Sequence, residues 1–211
     1  NMGSQSREHF TANIQNYPPV MRGALWINFN EMLLREQKNP EELLNVLLEK
    51  LPDEENELVA EYMLDMIKEI YWRYLTIDQR QSIAPKLEGL LLNMAIGNTN
   101  NQIQSSYFNT LRDIVVTANG IELLKNIWNE EMEVEGLSLS ENDYIKLAQS
   151  LALRVDNPTE ILDNQEQRIK NPDRKSRFKF VRQALANDFE DRKTFFNSLE
   201  APQNRENEEW V

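Results

Sequence analysis

Apolar residues recur at helical spacing along almost the whole chain. The longest such stripe runs from Leu58 to Tyr74, where residues four positions apart lie on one face of a helix. No segment alternates β-branched with polar residues over four or more positions, as a half-buried strand would. The pattern predicts an all-α protein, with one long helix over this stripe.

The residues between the stripes predict where helices begin and end. Asn-Pro occurs three times, at positions 39–40, 157–158 and 171–172, each time where a helical pattern opens. Asn caps the first turn, and Pro is tolerated at the first helical position because its missing N–H would be unpaired there. Gly120 predicts the end of a helix, and Gly136 predicts the end of the acidic stretch 130–135.

These start and end signals predict about ten helices of 10 to 20 residues, joined by short connections. Short connections make neighbouring helices antiparallel. No fixed-period repeat is present, so we expect an irregular array of helical hairpins, an α-solenoid of the HEAT or armadillo type. A compact helix bundle is the alternative. We expect residues 1–16 to be a flexible leader or a remnant of recombinant expression, and residues 17–211 to form the helical domain.

Composition limits the classes of function. The net charge of −12 argues against a general binder of nucleic acid or anionic membranes, since both rely on positive surface potential. The longest apolar run, around residues 90–92, is far shorter than the roughly 20 residues that a membrane span needs. The chain has no cysteine, which excludes disulfides and leaves the cellular compartment open.

The chain lacks the residues of a recognisable catalytic or metal centre. Its one histidine, His9, has no second histidine at the spacing of a zinc-binding H-E-x-x-H helix. No glycine-rich phosphate loop, G-x-S-x-G or EF-hand spacing occurs. The pairs Glu54/Glu55 and Glu130/Glu131 lie in polar stretches and are interpreted as solvated helix ends. We therefore predict no catalytic, cofactor-binding or metal-binding residue in this chain.

A basic cluster stands out in the acidic chain. Residues 168–193 contain nine basic and four acidic residues, and Lys175, Lys179 and Arg182 share one helix face by their spacing. One interpretation is a solvated face with ion pairs to acidic neighbouring helices. The other is a contact surface for a peptide carboxylate or for an acidic patch of another domain.

Three aromatic residues lie late in the longest stripe. By their spacing Tyr71 and Tyr74 belong to the core face, whereas Trp72 points elsewhere. Packing between helices is expected for the group, because aromatic side chains dominate burial. Trp72 could also contact another repeat or another domain.

Several motifs occur together in one order. The last 41 residues contain N-P-D-R-K-x-R-F, D-R-K-x-F-F-x-S-L and N-R-E-x-E-x-W-V, and further matches lie at 22–24, 71–75, 84–88 and 139–143. Over most of residues 17–211 the chain resembles the C-terminal helical domain of the aminopeptidase N family of zinc metallopeptidases. The resemblance implies a curved superhelix of paired helices that continues beyond Val211, with residues 208–211 as the first turn of a further helix.

The resemblance also implies a function. This chain would be a non-catalytic domain that covers the active site of an aminopeptidase and shapes its peptide chamber. The zinc would lie in an N-terminal catalytic domain of the same polypeptide, and none in this chain. The expected partners are that domain and peptide substrates, with Lys175, Lys179 and Arg182 as the contact surface. We expect no nucleic acid and no membrane span. The alternative is a self-standing helical-repeat scaffold that binds a protein partner.

Overall fold

Helices make up most of the structure. The computed structural model describes residues 13–97, 100–205 and 210, and within these it contains ten α-helices and no strand. The prediction of an all-α fold with about ten helices is confirmed. The helices are α1 (Pro19–Leu34), α2 (Pro40–Lys50), α3 (Glu57–Glu69), α4 (Ile77–Gly97), α5 (Asn101–Ile114), α6 (Ala118–Trp128), α7 (Glu141–Ala152), α8 (Thr159–Arg168), α9 (Pro172–Val181) and α10 (Phe189–Ser198).

The chain forms two compact units. The first comprises the residues up to Thr117 together with Glu135–Leu137, and the second comprises Ala118–Val134 and the residues from Ser138 onward. The sequence was interpreted as one helical domain over residues 17–211. In the first unit α4 packs along α5, and α3 packs against both α1 and α5. In the second unit α7 packs against α6 and α8.

The predicted leader falls partly within the described residues. Residues 1–12, which include His9, lie outside them. Ile14–Asn16 forms a 3-10 turn in which the Ile14 side chain is buried. The Gln15 side chain donates a hydrogen bond of 3.1 Å to the Lys50 carbonyl at the end of α2.

Asparagine caps fix several helix starts. Asn39 accepts a hydrogen bond from the Glu42 N–H at the start of α2, and Asn171 accepts two from the first turn of α9. Pro40 and Pro172 occupy first helical positions, as predicted. At the third Asn-Pro pair the helix begins one residue later than predicted, at Thr159.

One of the two glycine predictions was wrong. α5 already ends at Ile114, so Gly120 lies inside the first turn of α6 and terminates no helix. Gly136 does close the acidic stretch, with a φ of +79° that favours glycine. A Cβ at Gly136 would also approach the Gln104 side-chain amide to 3.0 Å, so a larger residue would require that amide to shift.

The helix predicted over residues 58–74 is also different from the prediction. α3 ends at Glu69, and Ile70–Tyr74 forms one turn of π-helix. The longest helix is α4, which contains Pro85 in its interior. Among the described residues, no helix combines the length and the apolar character that a bilayer crossing requires.

A buried ion pair links α1 to the connection before α3. The Arg22 guanidinium donates to both carboxylate oxygens of Glu54, at 2.7 and 2.5 Å, and to the Tyr17 carbonyl at 2.7 Å. The Glu54 side chain is 1% exposed. The interpretation of Glu54 as part of a solvated helix end was therefore wrong, because a cation distant in sequence compensates its charge in the interior.

Candidate functional site

The basic face of the second unit depends on how α9 is anchored. Asn171 caps the helix, and the Phe178 side chain points into a core formed with Ile145, Leu162 and Ile169. Lys175 and Lys179 lie on α9, and Arg182 opens the 3-10 turn that follows it. Burial of Phe178 therefore determines which positions of α9 remain at the surface.

Two of the three predicted cations are bound by acidic residues of α8. Arg182 donates hydrogen bonds of 2.6 Å to Glu166 and of 2.6 Å to Asp163. The Lys179 ammonium lies 3.6 Å from the other carboxylate oxygen of Glu166. This arrangement has the geometry of the first interpretation, a face with ion pairs to a neighbouring helix.

Arg182 is the most tightly held of the three. Burial by itself would lower its pKa, but the hydrogen bonds that it donates to Asp163 and Glu166, with their negative charges, outweigh that effect and raise the pKa above its usual value. Its side chain is only 24% exposed. Arg182 is thus a fixed, already compensated charge, and a ligand would have to compete with two carboxylates for it.

Lys175 differs from its two neighbours. It is half-buried, and within the described part of the chain it forms no ion pair. Arg177 and Lys170 are exposed and likewise form no ion pair with the described residues, whereas Arg174 pairs with Glu141 at 3.1 Å. Arg177 was not among the predicted contact residues, although its place in the basic cluster is visible in the sequence. On and beside α9, Lys175, Arg177 and Lys170 are therefore cations with charge available to a carboxylate.

The face offers binding chemistry. Ammonium and guanidinium groups can form charge-assisted hydrogen bonds to carboxylates, and Arg adds a planar, bidentate geometry. Nowhere in residues 13–97, 100–205 or 210 do three or more His, Cys, Asp or Glu side chains gather as ligands for a metal ion.

An aromatic cluster lies beside the end of α9. The Phe180 ring meets the Phe195 ring of α10 edge to face, at 5.3 Å between centroids, and the Trp210 ring at 5.9 Å. Together with polar side chains these rings line an open cavity of about 300 Å³. The polar lining residues are Gln183, Ser198, Gln203 and Asn204. Residues 206–209 and 211, for which a further helical turn was expected, lie outside the described residues.

The aromatic group of the first unit is divided between core and surface. Tyr71 is fully buried and Tyr74 is half-buried, whereas Trp72 is 41% exposed. The Arg80 guanidinium lies over the Trp72 ring, 5.3 Å from its centroid. Trp72 and Arg80 therefore form a second surface feature, on a different unit from the basic face.

No protein-family model matches the chain, and no curated protein matches it.

Proposed function

We propose that this chain is a non-catalytic helical domain of a zinc-dependent aminopeptidase, covering an active site that another part of the polypeptide provides. In this function it shapes the chamber that admits peptide substrates. One observation supports the proposal: several residues on which the resemblance rests cap the helices or lie on their buried faces. A resemblance limited to surface residues would carry no such information about a helical domain.

The capping residues of the motifs illustrate this point. Ser140 and Asp143 form a reciprocal capping box at the start of α7, in which each side chain accepts from the backbone N–H of the other residue. Asn171 and Pro172, the first two residues of N-P-D-R-K-x-R-F, start α9. Both motifs therefore determine where a helix begins.

Several apolar residues of the motifs lie in the interior, whereas Phe196 and Trp72, which also belong to matched segments, are exposed. Tyr71, Leu87 and Phe178, which belong to matched segments, are buried, and so is Leu147, four residues after the match at 139–143. Buried aromatic and aliphatic side chains supply most of the stabilisation of such a domain. The matched residues thus support a helical scaffold, and the catalytic group would be supplied from elsewhere.

The reading frame that encodes the chain tests the proposal directly. Sequencing of the full transcript should reveal an in-frame H-E-x-x-H upstream of residue 1. A transcript whose translation starts near Met2, with a stop codon before it, would contradict the proposal and favour the self-standing scaffold.

We expect the purified chain to bind no zinc stoichiometrically and to hydrolyse no aminoacyl amide. The reason is that the sequence contains one histidine and no cysteine, whereas catalytic zinc is usually held by two or more histidines with a carboxylate. Metal analysis by mass spectrometry, together with a chromogenic amide assay, measures both. One tightly bound zinc per chain, with turnover abolished by a chelator, would contradict this expectation.

In the full-length enzyme, replacing Lys175 with Gln is expected to raise KM for long peptides by up to about fivefold, because an exposed charge contact contributes at most about 1 kcal/mol. Arg182 and Lys179 are already paired, so the triple replacement should add little to KM. A single-residue chromogenic amide should be unaffected, since contacts far from the reacting bond act on the binding of long substrates.

Lys146→Gln is the matched control, since Lys146, like Lys175, forms no ion pair with the described residues but lies exposed on α7. Steady-state kinetics with both substrates measures the difference. An equal loss on the two substrates would indicate a folding role, and no loss on either would leave the basic face as a solvated surface.

A further inference from the structure

The π-helical turn of the first unit places a tryptophan at the surface. The turn Ile70–Tyr74 directly follows α3, and Tyr71 and Trp72 are consecutive residues in it. Tyr71 is fully buried and Trp72 is 41% exposed. Single turns of π-helix are rare in soluble proteins and occur frequently at functional sites. The π-helical turn therefore makes Trp72, the residue that it exposes, a candidate functional residue.

The Trp72 ring is held in place before any partner binds. Its edge-to-face contact with Tyr71 has a centroid distance of 5.0 Å and an interplanar angle of 83°. The Arg80 guanidinium stacks over the ring at 5.3 Å and also donates a hydrogen bond of 3.2 Å to the Trp72 carbonyl. A side chain that is already ordered loses little entropy on binding, which favours affinity.

The charge of Arg80 is not compensated by the described residues. Arg80 forms no ion pair with any of them, whereas the neighbouring Arg73 pairs with Glu69 at 3.1 Å. The guanidinium is also fixed by its stacking and by its bond to the Trp72 carbonyl, while its other N–H groups can still donate. Such a group is suited to a carboxylate, which it can bind with charge-assisted hydrogen bonds.

An apolar side chain extends the surface. Ile77, the first residue of α4, is 64% exposed. It lies three residues before Arg80, so the two side chains are neighbours on one face of the helix. The surface thus consists of an ordered indole, an uncompensated cation and an exposed aliphatic group. Trp and Arg are the residue types most enriched at the energetic centres of protein interfaces.

We infer that Trp72, Ile77 and Arg80 form a docking patch for an acidic segment of a partner protein, in which a carboxylate lies beside a large apolar side chain. The carboxylate pairs with Arg80, and the apolar side chain packs on Trp72 and Ile77. Within the described part of the chain, the patch holds one uncompensated cation, Arg80, since Arg73 is paired with Glu69. One cation suits one carboxylate, whereas a nucleic acid is bound by several cations along its backbone. The inference concerns the first unit and does not depend on the proposed aminopeptidase function.

Selection from a library of random dodecapeptides displayed on phage tests the patch without assuming a partner. The intact chain serves as bait, and enriched peptides are then synthesised and titrated by fluorescence anisotropy. We expect them to share an Asp or Glu next to Leu, Ile, Phe or Met. Trp72→Ala should weaken their binding by about tenfold or more, as at interface hot spots. Arg80→Gln should weaken binding several-fold, and the effect should vanish for peptides whose acidic residue is replaced by its amide.

Arg73→Gln is the matched control, because Arg73 is adjacent in sequence but paired with Glu69, and it should change affinity by less than about twofold. Ile77→Ser provides a second variant at an exposed position if Trp72→Ala lowers the thermal unfolding midpoint. Enriched peptides that lack acidic residues, or that bind Trp72→Ala and Arg80→Gln as tightly as the unmodified chain, would overturn the inference. Failure to enrich any peptide would overturn it as well. Binding of an oligothymidylate that depends on Trp72 and is tighter than peptide binding would replace it with a nucleic-acid site.

Discussion

Replacing Arg22 with methionine is expected to lower the free energy of unfolding by about 3 to 5 kcal/mol, the usual cost of removing one partner from a buried ion pair. Methionine retains much of the apolar volume of the arginine stem, so the loss reports on the charge more than on packing. Urea denaturation with an unchanged m-value measures the difference.

The expected loss of stability follows from the few hydrogen bonds that Glu54 would keep after Arg22 is replaced. Glu54 would keep one hydrogen bond, accepted from the Asn56 N–H at 2.8 Å, but it would lose both bonds from the guanidinium. The hydrogen bond from Arg22 to the Tyr17 carbonyl would be lost as well. The Glu54 charge is already felt in this interior, because burial first and this carboxylate second raise the pKa of Tyr107 to about 12. A carboxylate without its cation is therefore costly here.

A surface pair provides the control. Arg35→Met removes a cation from Glu31, but that pair is exposed on both sides, and its loss should cost less than about 1 kcal/mol. Arg22→Met combined with Glu54→Gln should recover part of the lost stability, because no uncompensated charge remains and the amide oxygen can still accept from Asn56. A loss below about 1 kcal/mol for Arg22→Met alone would contradict the argument.

The sequence predicted the helices well because their signals are local. The apolar stripes identify the faces that pack, and an Asn side chain caps a helix through N–H groups two or three residues away. Asn39 and Asn171 are therefore correct starts. Gly120 misled because a glycine near a helix end is a C-terminal signal only when its φ is positive, and its neighbours did not reveal that it lies inside a first turn.

The features that the sequence did not predict depend on residues distant in the chain. Glu54 lies in a run of acidic residues, and only the approach of Arg22, 32 positions away, makes its burial tolerable. The π-helical turn could not be predicted from the 58–74 stripe, because its apolar residues stay four positions apart both before the turn and within it. Pro85 lies within α4 although its ring opposes an α-helix, because tertiary packing can outweigh local preference.

The candidate site was predicted only in part, because its ion pairs also depend on residues distant in the chain. The spacing of Lys175, Lys179 and Arg182 identified a shared side of α9 and the turn that follows it. Which of them stay unpaired depends on the alignment of α8, whose Asp163 and Glu166 lie one turn apart and receive Arg182 and Lys179. No local sequence pattern predicts how α8 is aligned against α9. The structure is therefore needed to see that Lys175, unlike Lys179 and Arg182, forms no ion pair with the described residues.

Phe178→Ala is expected to lower the free energy of unfolding by about 3 to 5 kcal/mol, the range measured when a buried phenylalanine is truncated to alanine. The Phe178 side chain is 1% exposed and packs with Ile145, Leu162 and Ile169, so its removal leaves a cavity among α7, α8 and α9. Urea denaturation measures the loss, and Phe196→Ala on the exposed face of α10 should cost little.

Phe178 differs from other core residues because its removal should also disturb the basic face on α9. Phe178 is the buried residue of α9, and the ion pairs of Arg182 and Lys179 with α8 hold only if α9 keeps its place. Amide hydrogen exchange in α8 and α9 should therefore rise more in Phe178→Ala than in Arg182→Gln, which breaks the ion pairs and leaves the core intact. If Arg182→Gln released α9 as strongly as Phe178→Ala did, the ion pairs would anchor the helix, and Lys175 would owe its position to charge instead of to packing.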